Sequence, residues 1–372
     1  MSGIRICFFS GDITRSGGTE RVACMIANGL FRQKQYQVSI LSLTEQSPNK
    51  KPFFPLNKRI ARHSLGDHWM NPGPGYLALI PKLRRYLKQR KIDVMIDVDL
   101  VLDVLSVPAA WGTKTKVISW EHFNFDYENS IGYRRMISRF ITPMADCIIT
   151  LTAGDRQAFR CYYKHHKKRN VRIWAIHNPI QSEAGKPQQE AAEKRKWILT
   201  AGRLTHQKGM DYLVRTADLV LKKYSDWQWL ILGDGEQWDL IQTQIKKRQL
   251  QGRLVLMGQV TDINRYLEQA QIFVLTSRYE GLPMCLLEAK AKKLPCVSFD
   301  IKTGPDEIIA DGYNGFLIPA FDCRRMAHQI GRLIEDRDLR QSFSNNAMTG
   351  MGRFQLAAIL NQWDEVIKQI CG

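Results

Sequence analysis

Two positively charged residues lie in a loop of the segment AGRLTHQKGMDYLV (201–214), between an apolar run and a helical pattern. They are Arg203 and Lys208, and Gly202 and Gly209 beside them would let a ligand approach the backbone closely. Two cations in such a loop suit a diphosphate group. The alternative is that both are solvated loop cations, and this segment alone does not decide between the two interpretations.

Two glutamates bracket the start of a predicted helix in a second segment, TSRYEGLPMCLLEAKAKKLP (276–295). Pro283 suits the first helical position, so the helix start would present free amides to an anion. Glu288 could accept hydrogen bonds from ribose hydroxyls, while Glu280 would face whatever lies beyond the phosphates. The alternative is a pair of surface glutamates, which the flanking residues 281–283 disfavour. The amides at the helix start belong to Met284, Cys285 and Leu286.

Apolar runs alternate with helical patterns along the chain and predict the elements that position these residues. In the first half the runs are 4–9, 36–43, 92–99, 116–120 and 146–151. In the second half they are 197–202, 227–233, 253–258, 272–277 and 294–299. This alternation predicts an α/β fold of doubly wound parallel sheets, which bind ligands at the carboxyl ends of their strands. Both charged segments follow such strand ends.

A polar stretch without periodicity, QSEAGKPQQEAAEKRK (181–196), has the composition of a linker. We therefore predict a junction near residue 179 between two Rossmann-like domains, 1–178 and 179–352. A chain of 372 residues is long enough for two such domains. The remainder, 353–372, includes FQLAAILNQWDEVIKQI (354–370), which has the pattern of an amphipathic helix.

From Gly202 to Pro319 the sequence resembles the donor domain of the retaining GT-B glycosyltransferases of family 4, the group 1 glycosyl transferases. The resemblance rests on GR and KG within 202–209, LGDG (232–235), GQV (258–260), EGLP (280–283) with Glu288, and TGPDEII followed by DGYNGFLIP. It implies two Rossmann-like domains that face a central cleft, with the C-terminal helix crossing back to the N-terminal domain. It also implies an enzyme, a hexosyltransferase.

The resemblance assigns roles to residues of the second half. Arg203 and Lys208 would hold the diphosphate and stabilise the charge that develops on the leaving group. Glu280 would orient the sugar hydroxyls, Glu288 would bind the ribose, and Val260 would belong to the wall against the base. The other residues implied to bind the donor are Gly202, Gly281, Leu282, Pro283, Met284, Cys285 and Leu286, and more loosely Thr303, Gly304 and Pro305.

Two segments of the first half also carry the resemblance, GGTERV (17–22) and SWEHFN (119–124). Gly17 and Gly18 resemble the loop that faces the donor phosphates and the acceptor. His122 is implied to lie near the transferred sugar as a fourth catalytic residue, although a lone histidine is more often structural. Thr19 and Glu121 are candidates for acceptor binding or for support of the site. The rest of the first half matches weakly, so the acceptor stays open.

The resemblance implies transfer, with retention, of a hexose or N-acetylhexosamine from a nucleotide diphosphate sugar to a lipid-linked, lipopolysaccharide or capsule glycan. TGPDEII resembles members that use UDP-sugars, which are therefore favoured as donors. The alternative is a nucleotide-sugar epimerase or binding protein of the same fold. The family needs no bound metal or cofactor, and neither is expected here. Asp97 and Asp99 have Asp-x-Asp spacing, but they belong to the acceptor half, where a structural or acceptor-binding role is favoured.

The positive charge is concentrated in the first half of the chain. The net charge is +18, and residues 1–185 carry 28 Lys and Arg against 14 Asp and Glu. Such an excess indicates that the protein binds a polyanionic partner, either nucleic acid or an anionic lipid surface. We find no helix-turn-helix, finger or aromatic-ribbon motif, so nucleic acid is not expected as a partner. The oligomeric state stays open.

A basic amphipathic helix is predicted in LALIPKLRRYLKQRK (77–91), with leucines at 79, 83 and 87. It could lie on the anionic inner membrane, and the basic run 164–172 supports this. The alternative is a core helix with a solvated basic back. The residues expected at the membrane are Lys82, Arg84, Arg85, Lys88 and Arg90. Without a secretory signal or a membrane-spanning run, and with eight scattered cysteines that fit reduced thiols, we expect a cytoplasmic protein, peripheral on the inner membrane.

Overall fold

A computed structural model describes residues 3–45, 51–66, 74–166, 171–180 and 193–372. Most of the predicted linker, residues 181–192, lies outside the described residues, as do 167–170 of the basic run 164–172. The chain divides into two compact units. Unit 1 comprises Met1–Pro179 with Phe354–Gly372, and unit 2 comprises Ile180–Arg353.

Strands and helices alternate in both units, as the apolar runs predict. The strands are β1 (Ile4–Ser10), β2 (Tyr36–Thr44), β3 (Ala61–Gly66), β4 (Val94–Asp97), β5 (Lys116–Trp120), β6 (Cys147–Thr150), β7 (Ile173–Ala175), β8 (Trp197–Ala201), β9 (Gln228–Leu232), β10 (Leu254–Gly258), β11 (Ile272–Leu275), β12 (Cys296–Asp300) and β13 (Gly315–Pro319). The helices are α1 (Gly18–Phe31), α2 (Pro74–Leu77), α3 (Leu79–Arg90), α4 (Asp103–Ala110), α5 (Phe125–Ser130), α6 (Gly132–Phe140), α7 (Ala153–His165), α8 (Met210–Lys223), α9 (Trp238–Lys247), α10 (Ile263–Gln269), α11 (Met284–Ala291), α12 (Cys323–Glu335), α13 (Arg337–Asn346) and α14 (Leu356–Cys371).

Unit 1 contains a parallel sheet with the strand order β3-β2-β1-β4-β5-β6-β7. Ile6, Cys7, Phe8 and Phe9 of the central strand β1 are fully buried, as expected where helices cover both faces of a parallel sheet. The chain order reverses between β1 and β4, where Phe9 pairs with Asp97. The carboxyl ends of these two strands therefore flank the crevice at which doubly wound sheets bind ligands.

The last helix of the chain, α14, packs on unit 1. The ring of Trp363 lies 4.9 Å from that of Trp120 at the end of β5, and both rings are buried. Asp364 Oδ1 accepts hydrogen bonds from the hydroxyl of Tyr36 over 2.6 Å and from the amide of Gln35 over 2.7 Å. The expectation of a C-terminal helix that returns to the N-terminal domain is thus confirmed.

Unit 2 contains a second parallel sheet, with the order β10-β9-β8-β11-β12-β13. The chain order reverses between β8 and β11, where Ile198 pairs with Ile272. Both residues are fully buried in the core that α8, α9 and α12 complete. The predicted fold class, two α/β units with doubly wound parallel sheets, is confirmed.

The predicted helix at 77–91 is divided between α2 and α3. Leu83 and Leu87 are buried in the core of unit 1, so the core-helix interpretation describes them correctly. Arg84 also serves the fold, because its Nη1 donates to the carbonyls of Ala109 over 2.9 Å and Trp111 over 2.5 Å. The basic side chains of α3 that remain exposed are Lys82, Arg85, Lys88 and Arg90. Within the described ranges, no helix is both long enough and apolar enough to cross a bilayer.

Candidate active site

The carboxyl ends of β8 and β11 bring together the two charged segments of unit 2. Lys208 ends a 3₁₀ turn in the loop after β8, and Glu280 lies in the loop between β11 and α11. Lys208 Nζ and Glu280 Oε1 are 2.6 Å apart, and the two side chains are 16% and 7% exposed. Because β8 and β11 are neighbours where the chain order reverses, this ion pair lies where a doubly wound sheet binds its ligand.

Glu280 is held through its side chain and its backbone. Ser277 Oγ donates to Glu280 Oε1 over 2.6 Å, and Thr303 Oγ1 donates to the Glu280 carbonyl over 2.8 Å. The carboxylate therefore accepts hydrogen bonds from a hydroxyl and from the Lys208 ammonium, which fixes its orientation.

The Glu280 carboxylate favours the charged form of Lys208. Burial disfavours its ammonium form, but the Glu280 carboxylate outweighs burial, so the pKa of Lys208 is raised above its usual value. The guanidinium of Arg203 opposes this shift, which places the two cations within electrostatic reach of each other. Arg203 itself is exposed. The loop after β8 thus offers one paired and one solvent-facing cation.

Gly209 allows the two loops to meet. Its φ of 62° is left-handed, and a Cβ there would lie 2.1 Å from the carbonyl oxygen of Thr276. Thr276 Oγ1 in turn donates to the Lys208 carbonyl over 3.0 Å. Because the backbone after Lys208 lies directly against the end of β11, only glycine fits at this position.

Arg278 also links the loop after β8 to the loop after β11. The sequence patterns did not identify it as a candidate. Its Nη1 donates to the His206 carbonyl over 2.8 Å, and its Nη2 lies 2.8 Å from Asp211 Oδ1. Its guanidinium also lies 4.4 Å from the centroid of the Tyr212 ring. An arginine two residues before Glu280, with an aspartate in the first turn of the facing helix, is a signal that could have identified this contact.

The helix that follows Glu280 begins one residue later than predicted. Pro283 is the N-cap, and α11 starts at Met284. The amide of Leu286 donates to the Pro283 carbonyl over 3.0 Å, so the prediction of a free amide at Leu286 is wrong. The first hydrogen bond of the helix is accepted by Pro283. Met284 and Cys285 therefore contribute the first amides of α11, at the end of the helix that can face an anion.

The other predicted donor residues of unit 2 lie at several strand ends. Gly281 and Leu282 are buried beside Glu280, and a Cβ at Gly304 would lie 2.6 Å from the Gly281 carbonyl oxygen, so residues 303–305 pack against this loop. Glu288 is half-buried on α11. Three further residues complete the set: Gly202 directly follows β8, the half-buried Val260 follows the edge strand β10, and Cys285 is a thiol whose pKa burial raises to about 12.

In unit 1, His122 follows β5 and is buried. Its ring centroid lies 4.3 Å from that of Trp120, and its Nε2 finds no hydrogen-bond partner among the described residues. Burial lowers the pKa of His122 to about 3, so the imidazole is neutral at physiological pH. A neutral ring with one unpaired nitrogen can still form a hydrogen bond with a ligand.

The remaining candidates of unit 1 contact their own loops. Glu121 is buried, and its Oε1 accepts from the amide of Phe123 over 2.7 Å. Thr19 Oγ1 donates to Glu20 Oε2 over 2.8 Å. Gly17 is the N-cap of α1, and Gly18 faces open space. Gly18 therefore leaves room at the start of α1, whereas a Cβ at Gly17 would lie 2.1 Å from Glu20 Oε2.

Asp97 and Asp99 have different partners. Asp97 is fully buried near Asp103, and burial raises the pKa of both carboxyls. Asp99 Oδ1 lies 2.7 Å from Arg134 Nη2. In the described part of the chain, no group of three or more His, Cys, Asp or Glu is placed to hold a metal ion.

Two known protein families match the chain, one in each half. Residues 16–184 match the family described as Glycosyltransferase Family 4, and residues 181–349 match the one described as Glycosyl transferases group 1. The chain is a family 4 glycosyltransferase of the GT-B fold. The resemblance inferred from the donor motifs is therefore confirmed, and the family match extends into the weakly matching first half.

Three curated relatives of this glycosyltransferase match over nearly their whole length. An uncharacterized glycosyltransferase of Haemophilus influenzae is 28% identical, covering 98% of this chain and 99% of that protein. The amylovoran biosynthesis glycosyltransferase AmsD of Erwinia amylovora is 27% identical, with 95% and 97% covered. An undecaprenol-linked-glycan α-1,4-N-acetyl-D-galactosaminyltransferase of Campylobacter jejuni is 26% identical, with 95% and 96% covered.

Solved structures show that the glycosyltransferase shares its fold with distant proteins. A TarM mutant of S. aureus, in complex with fondaparinux, α-GlcNAc-glycerol and UDP, gives a TM-score of 0.75 at 17% identity, covering 99% of this chain and 100% of the other. HepE of Anabaena, in complex with UDP and glucose, gives a TM-score of 0.76 at 18% identity, with 97% and 99% covered.

Proposed function

We propose that this glycosyltransferase transfers a hexose or N-acetylhexosamine, with retention, from a UDP-sugar to a lipid-linked, lipopolysaccharide or capsule glycan. The observation that carries the proposal is the Lys208–Glu280 ion pair at the reversal point of the unit 2 sheet, with Arg203 beside it. HepE is known in complex with UDP and glucose, and the TarM mutant in complex with UDP, which supports a uridine nucleotide.

Arg203 and Lys208 meet the charge of the donor diphosphate, together with the amides that open α11. The charge on the β-phosphate grows as the bond to the sugar breaks, so both cations stabilise the transition state more than the ground state. Glu280 already accepts hydrogen bonds from Lys208 and Ser277. A carboxylate oriented in this way positions sugar hydroxyls and is a poor nucleophile.

Retention without an enzyme nucleophile follows a front-face path. The departing β-phosphate oxygen takes the proton of the acceptor hydroxyl while the acceptor oxygen bonds the anomeric carbon on the face that the phosphate leaves. The neutral ring of His122 serves as a hydrogen-bond partner to the sugar, since its nitrogen carries no charge to compete with the cations. No bound metal or cofactor takes part.

The acceptor side of the proposal draws on relatives. AmsD is named for amylovoran biosynthesis, and the Campylobacter jejuni enzyme is named for an undecaprenol-linked substrate. A lipid-linked acceptor fits the basic first half of the chain and a peripheral location on the cytoplasmic face of the inner membrane. The exposed basic side chains of α3 would then contribute long-range attraction to anionic lipid.

The test is a thermal-shift screen with nucleotide sugars, followed by NMR of the product formed on a lipid-linked glycan. Stabilisation by UDP-sugars and a product with the anomeric configuration of the donor are the expected results. An inverted product would refute retention, and stabilisation by GDP-mannose alone would refute the choice of nucleotide. Incubation with donor alone tests the epimerase alternative, which predicts a new nucleotide sugar without any acceptor.

A further inference from the structure

One face of α6 in unit 1 is apolar and exposed to solvent. Tyr133, Met136 and Phe140 are spaced three and four residues apart, so they line one side of the helix. Met144, in the 3₁₀ turn that follows, continues this spacing. The four side chains are 53%, 57%, 47% and 56% exposed, respectively. We call these four residues the apolar row.

The side of α6 that adjoins the apolar row is packed into unit 1, and Ile137, four residues after Tyr133, borders the row. Ile137 and Ser138 are buried there, and Ile137 belongs to a core cluster with Phe159. A surface helix with one packed face ordinarily presents polar residues on the other. The apolar row extends the apolar surface of α6 beyond its packed face into solvent, and a contiguous set of large exposed apolar side chains marks an interaction surface.

Two arginines accompany the apolar row. Arg135 and Arg139 are exposed, and the guanidinium of Arg139 lies 5.2 Å from the centroid of the Phe140 ring. The segment 132–140 contains three arginines and no acidic residue. The surface therefore complements a partner that is anionic outside and apolar beneath. A bilayer with anionic headgroups has both properties, and a basic amphipathic helix can lie in its interface.

We propose that the apolar row docks unit 1 on an anionic lipid bilayer, with the row at the boundary of headgroups and acyl chains and Arg135 and Arg139 at the phosphates. The inference rests on the proposed function in that a lipid-linked acceptor would meet the enzyme at this surface. It assigns to α6 the salt-resistant part of binding, since burial of apolar area is not screened by salt. The basic back of α3 contributes the salt-sensitive part.

Docking of α6 also bears on the loop that carries His122. Arg134 projects from the packed side of the same helix, where its Nη2 lies 2.7 Å from Asp99 Oδ1. Its guanidinium lies 5.1 Å from the ring centroid of Phe123, the residue that follows His122. Lipid contact with the exposed face of α6 therefore holds a helix whose packed face supports the carboxyl end of β5.

The test is sedimentation of the full chain with vesicles of phosphatidylglycerol and phosphatidylcholine, and with vesicles of phosphatidylcholine alone, at low and high salt. Wild type is expected to bind the anionic vesicles, with a fraction that persists at high salt. Met136→Ser combined with Phe140→Ser should lower the partition coefficient about tenfold or more and abolish the salt-resistant fraction. Arg135→Gln combined with Arg139→Gln should weaken the preference for anionic over neutral vesicles.

Matched controls come from α9 in unit 2. Leu240→Ser removes a side chain that is 56% exposed, and Lys246→Gln with Lys247→Gln removes two exposed charges. Both controls should bind vesicles like wild type. Equal binding by the α6 serine variant, or equal loss in Leu240→Ser, would overturn the proposal. So would light scattering that shows the serine variant converting a dimer to a monomer, because a second copy would then cover the row.

Stabilisation by UDP, measured by thermal shift without vesicles, tests the proposed function separately. A protein that is stabilised by UDP but does not bind anionic vesicles contradicts the docking surface alone. A protein that binds vesicles through the apolar row but is not stabilised by any uridine nucleotide supports the surface and contradicts the proposed donor.

Discussion

Replacing Lys208 with methionine removes the ammonium from the ion pair but keeps most of the side-chain volume. Glu280 then remains as a carboxylate that is 7% exposed and has lost its cationic partner. Breaking a fully buried ion pair in this way costs about 3–5 kcal/mol. Because solvent reaches part of Lys208, we expect the free energy of unfolding to fall by about 2 kcal/mol. Turnover should fall by about 10² or more, because the ammonium acts on the leaving diphosphate in the transition state.

The raised pKa of Lys208 also predicts how its contribution to stability changes with pH. The pKa of Lys208 is raised in the folded protein, so the stability that it contributes is fully present below the usual lysine pKa and is lost as the pH rises through the raised value. The difference in unfolding free energy between wild type and Lys208→Met should therefore stay constant through neutral pH and shrink above about pH 10.5. Urea unfolding at a series of pH values measures it.

An exposed ion pair elsewhere in unit 2 supplies the control for stability. Lys223 and Glu335 lie 2.8 Å apart, but their side chains are 65% and 56% exposed, so Lys223→Met should leave the urea midpoint unchanged. Glu280→Gln should also lower turnover by about 10² or more, and combining it with Lys208→Met should cost less stability than the sum of the two, since neither charge is then left unpaired. Near-normal turnover in Lys208→Met, or a midpoint equal to that of Lys223→Met, would refute the reasoning.

Three further predictions concern the same site. Glu288→Ala should raise the dissociation constant for the donor by about tenfold and change kcat little, because a ribose contact is made equally in ground and transition states; calorimetry that shows unchanged affinity would exclude the ribose role. EDTA should leave turnover largely unaffected, because cations and amides meet the diphosphate charge; a loss restored by Mg²⁺ would contradict this. Arg278→Ala should lower kcat by about tenfold, because the loops that carry Lys208 and Glu280 lose a clamp, whereas wild-type kinetics would show that the clamp is dispensable.

Much of the fold follows from local pattern, and the misses have local causes. β3 reads ARHSLG and has largely exposed or half-buried residues, so it lacks an apolar run. β7 is three residues long, and β13 begins at a glycine within a loop motif. These strands exist because a neighbouring strand supplies hydrogen bonds to their backbones. Sequence patterns detect burial, whereas strands at or near a sheet edge depend on pairing.

The placement of Lys208 beside Glu280 could be expected from the sequence in part. Both follow apolar runs, and strand ends of a parallel sheet meet at one edge. The sequence could not show that β8 and β11 are adjacent, because pairing between strands some 70 residues apart is a tertiary event, and Arg278 was missed for the same reason. The short contacts that hold Glu280 come from Ser277, which is local, and from Thr303, which is not.

Residue types and spacing alone therefore determined the alternating α/β elements, the family motifs of the donor half and the excess of positive charge. Only the tertiary structure decided which apolar faces are covered. Leu83 and Leu87 on α3 looked like a membrane face but lie in the core, whereas Met136 and Phe140 on α6 are exposed. Both helices show apolar residues at helical spacing, and the difference arises because burial depends on what packs against a face, which the residues of that face do not encode.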